Sequence, residues 1–151
     1  MEKIKIFELD SASESPNELK LFDRNIYLDN LGILKNQIEE FTKLPIGWDG
    51  YGAIPLIAEI SDKAKCFISM LDDLFIDQIS DIYPNPHGTL TVEWLNKSNN
   101  KLSLEIGVNN YSYFIDNEPP TLVTENGAPD LAQFSSCLGE FYQDEIPRIR
   151  F

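Results

Sequence analysis

Three short runs between residues 89 and 115 alternate apolar with polar side chains. In the first, TLTVEWL, Leu90, Val92 and Trp94 fall on one side, and Thr91 and Glu93 fall on the other. The runs KLSLEI and YSYFI repeat this period of two, with the polar turns NKSNNK and GVNN between them. A period of two is typical of strands that bury one face, and short turns join antiparallel neighbours. We therefore predict an antiparallel meander.

Residues 83–88, YPNPHG, contain two prolines and a glycine and are predicted to form a loop before this meander. Residues 121–124, TLVT, are expected to add a short edge strand to it. Three other segments carry apolar residues at spacings of three and four, which lines one face of a helix. The strand residues predicted to face the core are Leu90, Val92, Trp94, Leu102, Leu104, Ile106, Tyr111, Tyr113 and Ile115. The helical patterns are Leu28, Leu31, Leu34, Ile38 and Phe41; Ile57, Ile60, Ala64, Phe67, Leu71 and Leu74; and Leu131, Phe134, Leu138 and Phe141.

The order of these elements, two helices, three strands and a third helix, favours the α+β class. We expect an antiparallel three- to four-stranded sheet with helices packed on one face, forming a two-layer sandwich. With 151 residues the chain is long enough for one domain with its own core, so residues 1–151 are predicted to form a single domain. Residues 1–20, which include the polar stretch DSASESPNEL, are predicted to form a partly mobile arm.

The balance of charges limits the partners. Asp and Glu number 25 against 12 Lys and Arg, which gives a formal net charge of −13. Direct nucleic-acid binders gain affinity by neutralising phosphates with basic side chains, and anionic membranes also attract basic segments. Neither partner fits this chain. The charge indicates a solvated acidic surface or attraction to a protein with a basic surface. No apolar run has the length of a signal peptide or a membrane span, so a cytoplasmic location is expected.

Metal and cofactor motifs are absent from the sequence. Cys66, Cys137 and His87 are the only cysteines and the only histidine, and their spacing does not match a zinc site. Neither GxxxxGK nor GxGxxG occurs, so we predict no metal and no cofactor. Both cysteines fall within helical patterns and are expected in the core. His87 could serve as a general base, but its place between Pro86 and Gly88 is more typical of a turn, and no catalytic residue is assigned.

The segment LPIGWDGYGAIP, residues 44–55, joins the first two helical patterns. Trp48 and Tyr51 flank Asp49-Gly50, a dipeptide that suits a tight turn. As a structural corner, the segment would let two helices pack, with Trp48 closing the end of the core. As a recognition surface, it would expose Trp48 and Tyr51, residue types that dominate interface energies. Both interpretations remain open, and Trp48, Asp49 and Tyr51 are predicted binding residues.

Glu93 and Glu105 lie on the polar sides of neighbouring predicted strands. If Trp94 pairs with Leu104, the two glutamates are directly opposite, and opposed like charges destabilise a sheet unless a cation or a basic partner compensates. If Trp94 pairs with Leu102, the glutamates are diagonal neighbours and are expected to be solvated. We favour the second register and include both glutamates among the predicted binding residues.

WDGYGAIP, the strand with Gly before Glu-Trp and the run LSLEIG together resemble a group of small uncharacterised bacterial proteins. In these a WDGYGA-x-P turn precedes a helix, and a proline-rich loop leads into a strand that ends in Glu-Trp. The resemblance covers roughly residues 44–115 and brings no established activity, cofactor or catalytic residue. It implies that Trp48, Asp49, Tyr51, Glu93 and Trp94, with the glycines of the turn, define the fold or its site.

These features favour a small acidic interaction module, of the antitoxin, immunity or chaperone kind, that binds a basic protein partner. A variant of this hypothesis is a DNA mimic that occupies a nucleic-acid-binding protein. The alternative is a carboxylate- or metal-dependent hydrolase that uses Asp49, Glu93 and Glu105, with His87 as a further candidate. A third hypothesis is a small-ligand pocket between helices and sheet, lined by Tyr111, Tyr113 and Phe114.

Overall fold

The computed structural model describes residues 4–5, 27–117, 119–143 and 145. This part of the chain contains four helices and seven strands. The helices are α1 (Asn30–Phe41), α2 (Ala58–Ser69), α3 (Asp73–Asp77) and α4 (Leu131–Phe141). The strands are β1 (Ile4–Lys5), β2 (Tyr27–Leu28), β3 (Ile79–Pro84), β4 (Leu90–Leu95), β5 (Lys101–Ile106), β6 (Asn110–Ile115) and β7 (Thr121–Asn126).

Strands β3 to β7 form one antiparallel sheet in sequence order, and β1 pairs separately with β2. The α+β class is therefore confirmed, but the predicted three to four strands fall short of the five observed. The strand that the sequence did not predict is β3. Its pairing with β4 shifts between Ile79 and Asp81, so that Ser80 is an extra residue in a bulge. A bulge breaks the alternation of side chains, and the predicted loop at residues 83–88 hid the end of this strand.

The core lies on the sheet face that carries the predicted inward residues. All nine of them are buried, and Leu90, Val92, Trp94, Leu102 and Leu104 are fully inaccessible. Buried residues from each of the four helices belong to the same cluster. The indole N–H of Trp94 donates to the carbonyl oxygen of Phe75 at 2.9 Å, which satisfies a polar group in this core. The predicted inward face of the meander is confirmed.

Aspartates cap three of the helices. The side chains of Asp29, Asp72 and Asp130 accept hydrogen bonds from backbone N–H groups in the first turns of α1, α3 and α4. These bonds satisfy donors that have no partner within the helix. The second helical pattern was predicted to run through Leu74, but α2 ends at Ser69 and Asp72 starts the separate helix α3. Leu71 nevertheless reaches the core from the connection. The first helical pattern was predicted to include Leu28, but Leu28 lies in β2 because Asp29 caps α1.

The two cysteines do not share one environment. Cys66 is exposed, and Cys137 is half-buried. The prediction that both lie in the core is wrong for Cys66, because α2 turns Ile60, Ala64 and Phe67 inward and position 66 lies off that stripe. The predicted N-terminal arm, residues 1–20, lies outside the described residues except for Ile4 and Lys5.

Candidate functional site: the Trp48 loop and the polar sheet face

Residues 44–55, called the Trp48 loop here, connect α1 to α2 in a compact turn. Gly47, Gly50 and Gly52 have φ values of 80°, 86° and 91°, in the left-handed region that side chains disfavour. The N–H of Gly47 donates to the carbonyl oxygen of Ala53 at 2.6 Å, and that of Gly50 donates to Gly47 at 2.8 Å. These bonds close the loop on itself, and the glycines explain how the chain can turn so tightly.

Asp49 and Trp48 hold this conformation with their side chains. Oδ1 of Asp49 accepts hydrogen bonds from the N–H groups of Tyr51 at 2.8 Å and of Ala53 at 3.1 Å. The indole N–H of Trp48 donates to the carbonyl oxygen of Ile54 at 2.7 Å. Both side chains therefore form hydrogen bonds that stabilise the backbone of their own loop. The structural interpretation accounts for Asp49 and for the polar end of Trp48.

Three large apolar side chains of the Trp48 loop are exposed instead. Tyr51 is 93% exposed, Ile46 is 72% exposed and Ile54 is 37% exposed. Trp48 is half-buried beside them. A rigid loop that exposes an aromatic residue and two isoleucines has the composition of an interface centre, where aromatic anchors contribute most of the binding energy. Ile46 and Ile54 were not predicted as binding residues; their place on either side of WDGYGA was the available signal.

The Trp48 loop is attached to the turn between β3 and β4. The N–H of Ile54 donates to the carbonyl oxygen of Pro86 at 2.9 Å, and that of Ile57 donates to Gly88 at 3.1 Å. Gly88 has a φ of 93°, and a Cβ atom there would lie 2.8 Å from Cγ1 of Ile57. A side chain at position 88 would have to displace Ile57, and the positive φ would strain it further. The contact fixes the loop at the β3–β4 end of the sheet, next to His87.

The sheet register places Glu93 and Glu105 apart. Trp94 pairs with Leu102, so Glu93 lies opposite Ser103 and Glu105 lies opposite Thr91. The favoured diagonal register is confirmed. The expectation that both glutamates are solvated is wrong for Glu93, which is only 8% exposed.

Glu93 belongs to a hydrogen-bond network on the polar face of the sheet, the face opposite the core. Its carboxylate accepts hydrogen bonds from the hydroxyls of Tyr83 at 2.7 Å and Ser103 at 3.3 Å, and it lies 3.6 Å from Nζ of Lys101. Burial, followed by the bond to Glu93, raises the pKa of Tyr83 to about 12. Alternation alone would have found Ser103, but Tyr83 lay in a segment predicted as a loop.

Glu105 forms a second group with His87 and Thr89. Its Oε2 lies 2.8 Å from Nε2 of His87 and accepts a hydrogen bond from the Thr89 hydroxyl at 2.5 Å. The Thr89 hydroxyl is also 3.1 Å from the same His87 nitrogen. A hydroxyl–histidine–carboxylate triad needs its hydroxyl and its carboxylate on different ring nitrogens. Because both contact Nε2 here, this group lacks the geometry of a triad.

One concave region lies beside these groups, and another lies at the far end of the sheet. A cleft of about 290 Å³ beside His87 and Glu105 is also lined by Tyr111 and Thr124. A larger groove of about 910 Å³ lies between α4 and the opposite end of the sheet, with Tyr113, Thr121 and Glu140 among its lining residues. Phe114 lies on the polar face and is 41% exposed. The three aromatics proposed to line one pocket are thus distributed over three places.

The predicted binding residues fall into three groups. Trp48, Asp49 and Tyr51 share the Trp48 loop, Glu93 lies within the network of Tyr83, and Glu105 lies beside His87. Among the described residues, acidic, histidine and cysteine side chains do not gather in groups of three or more that could hold a metal ion. None of the helices described is long and apolar enough to cross a bilayer.

Comparison of this chain with models of protein families, with curated proteins and with solved structures finds no match.

Proposed function

We propose that this protein is a small acidic interaction module that binds a basic protein partner in the cytoplasm through the Trp48 loop. The observation that carries the proposal is the exposure of Tyr51, at 93%, on a loop whose backbone is held by the side chains of Asp49 and Trp48. A rigid loop loses little conformational entropy on binding, so more of the contact energy appears as affinity. Ile46 and Ile54 supply apolar area around Tyr51.

The charge distribution favours a basic partner. Four lysines of the described part lie 2.5 to 3.6 Å from a glutamate of the same chain. Each of these pairs neutralises one charge of each sign, so the formal net charge of −13 for the chain is left uncompensated. A field of one sign attracts a partner of opposite charge and raises the rate of association. The lysines concerned are Lys43, Lys63, Lys65 and Lys101.

The test begins with affinity capture from the native cell at low and high salt, followed by reconstitution of the captured protein with the purified chain. Tyr51→Ala is the test variant, because the Tyr51 side chain is 93% exposed and so contributes little to the packing of the described residues. Met70→Ala is the matched control, since Met70 is 54% exposed on another part of the surface. Trp48→Ala is unsuitable because it would remove the bond to Ile54 and alter the loop.

We expect a stoichiometric basic protein whose reconstituted affinity falls by about 2 kcal/mol in Tyr51→Ala and is unchanged in Met70→Ala. Added salt should slow association. If the affinity is equal in both variants, the Trp48 loop is not the binding surface. An acidic or salt-insensitive partner would contradict the electrostatic part of the proposal, and a nucleic-acid-binding partner would identify the DNA-mimic variant of it.

The alternative of a carboxylate- or metal-dependent hydrolase has one supporting feature, the cleft beside His87 and Glu105. Asp49 and Glu93 make their hydrogen bonds with other groups, so the three carboxylates proposed for catalysis do not share partners. A hydrolytic activity lost in Glu105→Gln and retained in Glu93→Gln and Asp49→Asn would favour this alternative. Activity unaffected by Glu105→Gln would exclude Glu105 from catalysis.

A further inference from the structure

The two edges of the five-stranded sheet differ in their protection. At one edge, β3 contains the bulge at Ser80, ends at Pro84 and contacts α1. Bulges, prolines and covering helices are the usual means of preventing a further strand from adding to an edge. At the other edge, β7 pairs with β6 in continuous register and contains neither proline nor lysine. Within the described part of the chain, β7 is the unprotected edge.

The hydrogen-bonding pattern identifies the free backbone groups of β7. The N–H of Gly127 donates to the carbonyl oxygen of Asn109 at 2.7 Å, which makes these opposed residues a hydrogen-bonded pair. Because such pairs alternate along an antiparallel ladder, Val123 and Glu125 also bond to β6. The backbone groups of Leu122, Thr124 and Asn126 then point away from the sheet, and no described residue is bonded to them.

We infer that the free edge of β7 binds an extended, lysine- or arginine-bearing segment of a protein partner by adding it to the sheet as a further strand. Strand addition of this kind derives affinity from main-chain hydrogen bonds and specificity from the alternate side chains. The surface lies at the opposite edge from β3, whose turn holds the Trp48 loop. The inference therefore does not depend on the function proposed for that loop.

The side chains of β7 define what the segment should contain. On the polar face Leu122 is 69% exposed and pairs with Phe114, so an apolar side chain beside Leu122 would extend this patch. On the other face Glu125 is the only charged side chain of β7. The large groove beneath α4 reaches the same edge at Thr121 and contains Glu140. Basic side chains on this face would lie near the carboxylates of Glu125 and Glu140, whereas an acidic side chain opposite Glu125 would be repelled.

The probe is a blocked peptide, matched in length to β7, that alternates lysine with valine; the control peptide alternates glutamate with valine. Binding to the full chain is measured by calorimetry, and amide hydrogen exchange is followed by NMR. In the free protein we expect fast exchange at Leu122, Thr124 and Asn126 and slow exchange at Val123 and Glu125. The lysine peptide should slow exchange at the three outward amides, and the glutamate peptide should not.

Two variants separate the backbone from the charge. Thr124→Pro removes one outward N–H and leaves the bonds to β6, so the lysine peptide should bind about tenfold more weakly than to the matched Thr124→Val. Glu125→Lys keeps the backbone and should reverse the preference toward the glutamate peptide. Unchanged NMR shifts in the core would show that both variants fold.

Three results would overturn the inference. Equal binding of both peptides would show that charge complementarity does not select the bound segment. Slow exchange at Leu122, Thr124 and Asn126 in the free protein at every concentration would mean that another segment of this chain already covers the edge. Protection that rises with protein concentration would mean that a second copy is the occupant.

Discussion

The hydroxyl of Tyr83 donates a hydrogen bond of 2.7 Å to the carboxylate of Glu93 on the adjacent strand. Glu93 is 8% exposed, so this bond replaces a hydrogen bond to water that the buried carboxylate has lost. Removing a donor from a buried charged acceptor costs more than the average hydrogen bond. Tyr83→Phe should therefore lower the free energy of unfolding by about 1 to 3 kcal/mol, measured by urea denaturation.

Tyr51→Phe is the matched control for this prediction, because it removes a hydroxyl from a side chain that is 93% exposed. Its free energy of unfolding should be unchanged. If Tyr83→Phe is equally neutral, then Ser103 and Lys101 satisfy Glu93 without the tyrosine.

The stability of the protein should also fall at high pH. Burial raises the pKa of Tyr83 and of Tyr113 to about 12, with further contributions from Glu93 and Cys137 respectively. An unfolded phenol titrates near pH 10, so the folded state retains these protons more strongly. The stabilisation is fully present below about pH 10 and is lost as the pH rises toward about 12.

Urea denaturation at a series of alkaline pH values measures this loss. Tyr83→Phe and Tyr113→Phe should each show a shallower decline than the natural chain between these limits. A decline of the same slope in all three proteins would assign the pH dependence to other groups.

Much of this fold is predictable because the strands that pack on the helices alternate so regularly. Leu90, Val92 and Trp94 face the core as their spacing requires, and the same holds along β5 and β6. Strand β3 could not be found in this way. Its extra residue, Ser80, shifts the phase of the pattern, and the tyrosine and proline at its end resemble the start of a loop.

The candidate site was predictable in its residues but not in their roles. The residue types of Trp48, Asp49 and Tyr51 suit both a structural corner and a recognition surface. Only the structure shows that Trp48 and Asp49 bond to the backbone of the loop while Tyr51 is exposed. Sequence also could not show that Glu93 is buried on the polar face. Its hydrogen-bond donor Tyr83 comes from β3, the strand that the pattern did not reveal.

Asp49 gives a direct test of the structural role assigned to it. Its Oδ1 accepts two backbone N–H groups, and the amide oxygen of asparagine can accept the same bonds. Asp49→Asn should therefore stay within a few tenths of a kcal/mol of the natural chain, whereas Asp49→Ala should lose about 1 kcal/mol. Amide exchange at Tyr51 and Ala53 should accelerate only in the alanine variant. Equal losses in both variants would indicate that the negative charge itself is required.

Gly88 and Gly127 form a matched pair for testing the attachment of the Trp48 loop. Both have positive φ, but a Cβ atom at Gly88 would meet Ile57 at 2.8 Å, whereas one at Gly127 would have no neighbour within 4 Å. Gly127→Ala should cost about 1 kcal/mol from backbone strain alone. Gly88→Ala adds a steric conflict and should cost about 2 to 4 kcal/mol. Thermal denaturation measures both, and similar losses would show that Ile57 moves aside without penalty.

Ser61 has a buried side-chain hydroxyl for which the described residues provide no hydrogen-bond partner. It is 2% exposed within α2, and its hydroxyl has no hydrogen bond within the described part of the chain. An unsatisfied buried hydroxyl is costly, and alanine also favours the helix. Ser61→Ala should therefore raise the free energy of unfolding by about 1 kcal/mol.

Ser69→Ala, in the same helix, is the control for Ser61→Ala. The Ser69 hydroxyl is exposed and already donates to the carbonyl oxygen of Lys65 at 2.6 Å, so its loss should change stability little. If Ser61→Ala destabilises the protein instead, the hydroxyl must have a partner in solution. Because Ser61 lies among the core residues of α2, that partner would be a buried water or a segment outside the described residues.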